Sequence, residues 1–234
     1  MSAADPIGKA IIDFYKTKKP KDIVVSSDLT EDDIIPVEVL FRSYEAMPEI
    51  EKRALALVKG SVLDIGAGAG PHSNYLIQQG FTVKAIDISP GAVAFMKSQG
   101  INAQLVDVHR FKHERFDTLL LLMNGLGIAG TKKALIAFLN HLKSLLNPKG
   151  QILCDSSDVQ FLYEDEDGSQ WMDLNSEYYG NFNFQMHFEK ATGPVFPWVY
   201  IDYDSLHEAA RHCGFQCQRI EVKENHFLAQ LVLP

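Results

Sequence analysis

The sequence predicts an α/β domain whose core is a mostly parallel β-sheet covered by helices on both faces. From Ser61 to about Ser156, short continuous apolar runs alternate with segments of helical period. That is the pattern of strands buried on both faces with crossover helices between them. The chain then closes on two strand-like segments around a turn so short that they must pair antiparallel. Its 234 residues suffice for one such domain with additions and are short for two.

Each element follows from local chemistry. Asp5 before Pro6 has the form of an N-cap and first helical residue, and Ile7, Ala10, Ile11, Phe14 and Tyr15 then recur on one stripe. Residues 17–34 are polar and irregular, with an acidic "EDD" at 31–33. Helices are expected near 36–43 and from Pro48 through "PEIEKRALALVK". "SVLDIG", "TVKAIDIS", "NAQLVDV", "FDTLLLLM" and "QILCDS" read as five strands in succession. The helices between them start and stop at recognisable residues, such as Ser89-Pro90 at one entrance and Gly80 and Gly100 at two exits.

After the fifth strand about 45 residues precede the helix "DSLHEAARHCG", too many for an ordinary connection. This insert holds "EDEDG" at 164–168, expected as a solvated loop tip, and "GNFNFQMHFEK". There Phe182, Phe184, Met186 and Phe188 alternate with polar residues, the period of a half-buried strand. The last two strands flank a turn near Glu224–Asn225. The expected organisation is an N-terminal helical cap over 1–47 and a main domain over 48–234 with a lid insert at about 156–200.

Composition narrows the function classes. The chain is 46% hydrophobic and 22% charged, with a net charge of −8, which disfavours non-specific attraction to nucleic acid or anionic membrane. "KTKKPK" at 16–21 reads as a solvated helix end, and "TLLLLM" at 118–123 is too short to span a bilayer. The N-terminus lacks the apolar core of a signal peptide. Three cysteines without a C-x-x-C pair suit a reducing compartment rather than a disulfide scaffold or zinc site. The expectation is a soluble cytoplasmic protein with neither nucleic-acid nor membrane partners.

The most informative stretch is "VLDIGAGAGPHS", residues 62–73. A glycine-rich turn between strand and helix brings a ligand to the main chain at the positive helix N-terminus. The spacing of Gly66, Gly68 and Gly70 is G-x-G-x-G, and Pro71 stands where a dinucleotide loop carries its third glycine. Asp64, two residues before Gly66, would repel a pyrophosphate.

"LDIGAGAG" resembles the D/E-x-G-x-G-x-G signature of class I S-adenosylmethionine (SAM)-dependent methyltransferases. The resemblance covers roughly 50–234 and implies a Rossmann-like seven-stranded mixed sheet with its last strand antiparallel. It implies that Asp64, Gly66, Ala67 and Gly68 shape the cofactor loop, and that Asp87 accepts hydrogen bonds from the ribose hydroxyls. Asp107 would meet the adenine amino group, with Ile88 and Val108 flanking the ring. Asn124 ends the fourth strand, the family position beside the transferring methyl. Arg42 and His72 are candidates for the SAM carboxylate, His72 equally for the acceptor. An acidic residue some 20 positions after the glycines also occurs in NAD enzymes, so an NAD(P)-dependent oxidoreductase is the competing reading. A non-catalytic SAM- or nucleotide-binding regulator is the other.

The acceptor is less legible. Asn124 is not followed by the Pro-Pro-aromatic of amino methylation, and the fourth strand end lacks a carboxylate for a metal site, so no metal is expected. A small-molecule acceptor fits the acidic charge and the insert. Tyr44, Tyr178, Tyr179 and Trp198 are candidate pocket residues, because aromatics exclude water and favour a sulfonium. None of His72, His109 and His187 has a visible acid partner in the sequence, and no general base is assigned.

Overall fold

The structure is a computed structural model that describes residues 4–163 and 177–234. The expected loop tip at 164–168 lies outside the described residues. The chain opens with α1 (Pro6–Thr17), β1 (Asp22–Ser27), β2 (Asp33–Pro36), two 3-10 turns (Val37–Phe41 and Tyr44–Ala46) and α2 (Glu49–Ala56). The alternating unit follows: β3 (Val62–Ile65), α3 (Pro71–Gln78), β4 (Val83–Asp87), α4 (Pro90–Ser98), β5 (Ala103–Leu105), β6 (Phe116–Leu121), α5 (Leu135–Ser144) and β7 (Leu146–Ser157). The remainder is β8 (Asn181–Phe188), β9 (Ala191–Val199), α6 (Tyr203–His212), β10 (Gln216–Lys223) and β11 (His226–Val232).

Seven strands form one sheet in the order β10-β11-β7-β6-β3-β4-β5. The pairings from β7 through β5 are parallel, and β11 runs against both its neighbours. Leu119, Leu120 and Leu121 of β6 are fully buried, which is what an unbroken apolar strand in mid-sheet requires. The chain winds from β3 outward through β4 and β5, then returns to place β6 on the other side of β3. A sheet of this winding leaves a crevice at the carboxyl ends of the two strands where the direction reverses. Here those are β3 and β6.

The segment 1–47, expected as a helical cap, has one α-helix and two strands. Its β1 pairs antiparallel with β8 of the insert, Val24 opposite His187, and the two segments build a second sheet of order β2-β1-β8-β9. That pairing joins residues more than 150 positions apart, so local periodicity could not register it. The half-buried strand expected around Phe182–Phe188 is β8.

α1 is fastened to α4. Asp5 caps α1 by accepting from the Gly8 amide at 2.8 Å, and its other oxygen accepts from the Gly91 amide at 2.8 Å in the first turn of α4. The backbones touch: a Cβ on Gly91 would lie 2.6 Å from Gly8 Cα. Gly91→Ala must separate the two helices and is expected to cost about 1–3 kcal/mol. A thermal melt checks this, and an unchanged midpoint would refute the contact.

Candidate active site

The glycine loop joins β3 to α3 at the crevice. Gly66, Gly68 and Gly70 all have positive φ, at 72°, 58° and 78°, which any side chain would strain. Gly66 is exposed, and a Cβ on Gly70 would lie 2.9 Å from Ile101. One glycine thus opens the loop to solvent while another packs it on the core. Beneath the loop, Asp64 is buried and accepts from the Ser73 hydroxyl at 2.6 Å. Burial pushes its carboxyl up, against the opposing effects of His72 and Ser73.

Asp87 ends β4 and faces the loop. One of its oxygens accepts from the Gly68 amide and the other from the Ser89 amide, each at 2.8 Å. Each oxygen retains a lone pair, and burial pushes the carboxyl up to about 6 despite those two amides. Ile88 beside it is exposed. Asp107 accepts from the His109 amide at 2.9 Å through Oδ1, capping a short 3-10 turn, while Val108 is buried in the core. The loop, Asp87 and Asp107 therefore lie along the carboxyl edge of β3, β4 and β5.

On the other side of the loop is a buried ionic chain that the sequence did not reveal. Glu51 of α2 binds His72 Nε2 of α3 at 2.8 Å and also pairs with the Arg42 guanidinium. Burial alone would raise the Glu51 carboxyl, yet His72 and Arg42 together hold it below its ordinary value. Arg42 Nε is buried without a partner among the described residues. His72 thus has an acid partner after all, one that lies 21 positions away on a separate helix.

Met123 and Asn124, just beyond β6, both have positive φ, at 63° and 58°. Such backbone costs about 1–3 kcal/mol per residue and persists only when its surroundings enforce it. The fully buried Asp155 of β7 does so, accepting from the Met123 amide at 3.1 Å and the Gly125 amide at 3.4 Å. The same carboxylate binds His226 Nε2 at 2.9 Å. Asn124 Oδ1 accepts from the Ser157 hydroxyl at 2.9 Å.

Between the two sheets is a cleft of about 860 Å³. Arg42, Glu51, Met123, Asn124, Ser157 and His226 line its floor, and Phe182, Phe184, Phe196, Trp198 and Tyr200 line the four-stranded sheet above. Of the aromatic pocket candidates, Trp198 is on this wall. Tyr44 stacks on Tyr75 with ring centroids 4.1 Å apart, and Tyr178 is buried with its hydroxyl on Asp202 at 2.7 Å. Tyr179 donates to Asp158 at 2.8 Å. Those three side chains support neighbouring structure; the wall is built instead by the alternating face of β8 and by β9. The period of two in β8 was the signal for Phe182 and Phe184, whereas in β9, which carries two prolines, the aromatic character of Trp198 was the signal and no strand period showed.

Known proteins share this architecture. A family model described as a methyltransferase domain matches residues 39–219. A crystal structure of a SAM-dependent methyltransferase from Bacteroides fragilis, in complex with S-adenosyl-L-homocysteine, is 42% identical with a TM-score of 0.91. That match covers 99% of this chain and 96% of the other. The SAM-bound amino pentose methyltransferase CalS10 from Micromonospora echinaspora shares the fold at 14% identity and a TM-score of 0.55, over 84% of this chain and 96% of that one. The 1,6-didemethyltoxoflavin N1-methyltransferase of Burkholderia thailandensis shares it at 18% identity and a TM-score of 0.51, over 81% and 80%. The chain belongs to the methyltransferase domain family and is a SAM-dependent methyltransferase of the class I superfamily.

Proposed function

We propose that the enzyme methylates a small molecule held in the cleft between its two sheets. The observation that carries this reading is the cleft itself. Its volume of about 860 Å³ lies within the range of small-molecule sites, and its lining joins the aromatic face of Phe182, Phe184, Phe196, Trp198 and Tyr200 to an acidic edge at Glu31, Asp32 and Asp33. No helix among the described residues is long and apolar enough to cross a membrane. We further propose that the four-stranded sheet, drawn from the N-terminal segment and the insert, is the layer that selects the acceptor.

The residues at the crevice suit SAM. Asp87 offers two acceptor lone pairs for the ribose hydroxyls, and Asp107 Oδ2 is available for the adenine amino group with Ile88 exposed beside the ring site. The open backbone at Gly66–Gly68 admits the amino-acid portion, and Arg42, which lines the cleft, supplies a cation for its carboxylate. When bound, SAM supplies an electrophilic methyl group on a sulfonium. What the chain contributes is alignment and exclusion of water. The strained Met123–Asn124 turn, held by Asp155, fixes the floor, and the aromatic wall covers it. Holding both partners in line removes much of the entropic barrier to a direct displacement.

The test uses methyl-labelled SAM and a cell extract, with unreacted SAM separated by chromatography. Transferred label is expected in a new small-molecule product in the ultrafiltrate. Label found solely in retained protein or nucleic acid would overturn the small-molecule reading.

A further inference from the structure

His226 begins β11 at the edge of the cleft, and the mechanism above leaves it unused. Its ring is half-buried, it lines the cleft with Asn124 and Ser157, and its Nε2 lies 2.9 Å from the carboxylate of Asp155. Asp155 is fully buried and already accepts two backbone amides at the β6 end. A carboxylate so placed has acceptor capacity to offer, so the imidazole donates through Nε2 and, in its neutral form, carries its lone pair on Nδ1. Among the described residues Nδ1 has no hydrogen-bond partner.

The same carboxylate thus fixes two things at once: the strained Met123–Asn124 turn and the tautomer of the histidine beside it. We infer that His226 is the general base that takes the proton from the acceptor, with Asp155 as its positioning residue, so that the acceptor is a hydroxyl or amine carrying a proton on its nucleophilic atom. This rests on the small-molecule reading of the cleft.

In the step, the lone pair of the acceptor atom forms the new bond to the methyl carbon. The carbon–sulfur bond breaks with its electron pair going to sulfur, which becomes the neutral thioether of S-adenosylhomocysteine. The acceptor's proton passes to Nδ1. Asp155 stabilises the resulting imidazolium through the Nε2 proton, and the proton leaves to solvent once the product departs. General-base assistance of this kind contributes typically 10²–10⁴-fold.

Two measurements test it on the full chain saturated with S-adenosylhomocysteine or SAM. The first is histidine-selective ¹⁵N NMR, with His226 assigned by its loss in His226→Gln. The expected signature is a protonated Nε2, a non-protonated Nδ1, and a shift of Nδ1 when phenol or phenethylamine is added. The second is release of S-adenosylhomocysteine with those two compounds as acceptors. His226→Gln is expected to lower turnover by at least about a hundredfold, while its affinity for S-adenosylhomocysteine stays within about threefold.

A neutral imidazole protonated on Nδ1 overturns the inference, as does wild-type turnover in His226→Gln. Neither probe shifting Nδ1 nor being methylated, with S-adenosylhomocysteine still bound, also overturns it. That last result would leave the methyltransferase assignment standing. Label confined to macromolecules in the extract experiment would overturn the small-molecule reading by itself.

Discussion

Asp87→Ala is expected to weaken S-adenosylhomocysteine binding by about a hundredfold in calorimetry. The carboxylate is pre-aimed: the Gly68 and Ser89 amides each hold one of its oxygens at 2.8 Å, which leaves one lone pair per oxygen for a ribose hydroxyl. Hydrogen bonds to a charged group contribute about 1.5–3 kcal/mol each, and about 1.4 kcal/mol is a factor of ten. Loss of one such bond gives roughly tenfold and loss of both gives a hundredfold or more. The alanine also releases the Gly68 amide and with it one restraint on the loop. An affinity unchanged by the substitution would remove Asp87 from the site.

The pH dependence of binding has a definite sign. Burial pushes the Asp87 carboxyl up to about 6. If the ionised form receives the ribose, affinity is flat above that value and falls as pH drops through it, by up to about tenfold per pH unit. Asp87→Ala should abolish this dependence along with most of the affinity.

What could be read from the sequence followed the range of the interactions. The strands of the main sheet declared themselves because burial on both faces forces unbroken apolar runs, as in "TLLL" of β6. The glycine loop was legible because positive φ restricts residue choice at the position itself. Asp5, Ser89 and Pro90 were legible because capping acts across three or four residues. The second sheet was not, since β1 finds β8 across most of the chain and β2 is only four residues long. The same distance hid the chemistry on the cleft floor. Asp155 and His226 are 71 positions apart and meet because β11 inserts antiparallel beside β7. No spacing rule within either segment encodes that meeting.

The buried chain Arg42–Glu51–His72 is a stability element that the sequence concealed, and it predicts a second large effect. Glu51→Leu leaves the largely buried Arg42 guanidinium without its carboxylate partner, and removes the anion that His72 faces. Breaking a buried pair from one side costs about 3–5 kcal/mol. For a chain of this length each kcal/mol moves the melting midpoint by about 2–4 °C, so a fall of roughly 6–20 °C is expected. Arg42→Met combined with Glu51→Leu should recover much of it, because the uncompensated charge is then absent.

The pH signature separates charge from packing. His72 and Arg42 hold the Glu51 carboxyl below its ordinary value of 4.5 against the opposing effect of burial. The folded state therefore binds fewer protons than the unfolded state between the two values, and stability rises with pH across that interval. The contribution is complete above about 4.5 and disappears as pH falls through the depressed folded value. The gap between wild type and Glu51→Leu should accordingly narrow toward acid pH in a series of melts. A gap of constant size would show that the cost is lost packing alone. Because this ionic chain runs from Arg42 to the helix that follows the glycine loop, loss of S-adenosylhomocysteine affinity in Glu51→Leu at temperatures well below its melt would show that the same ion pairs also support the cofactor site.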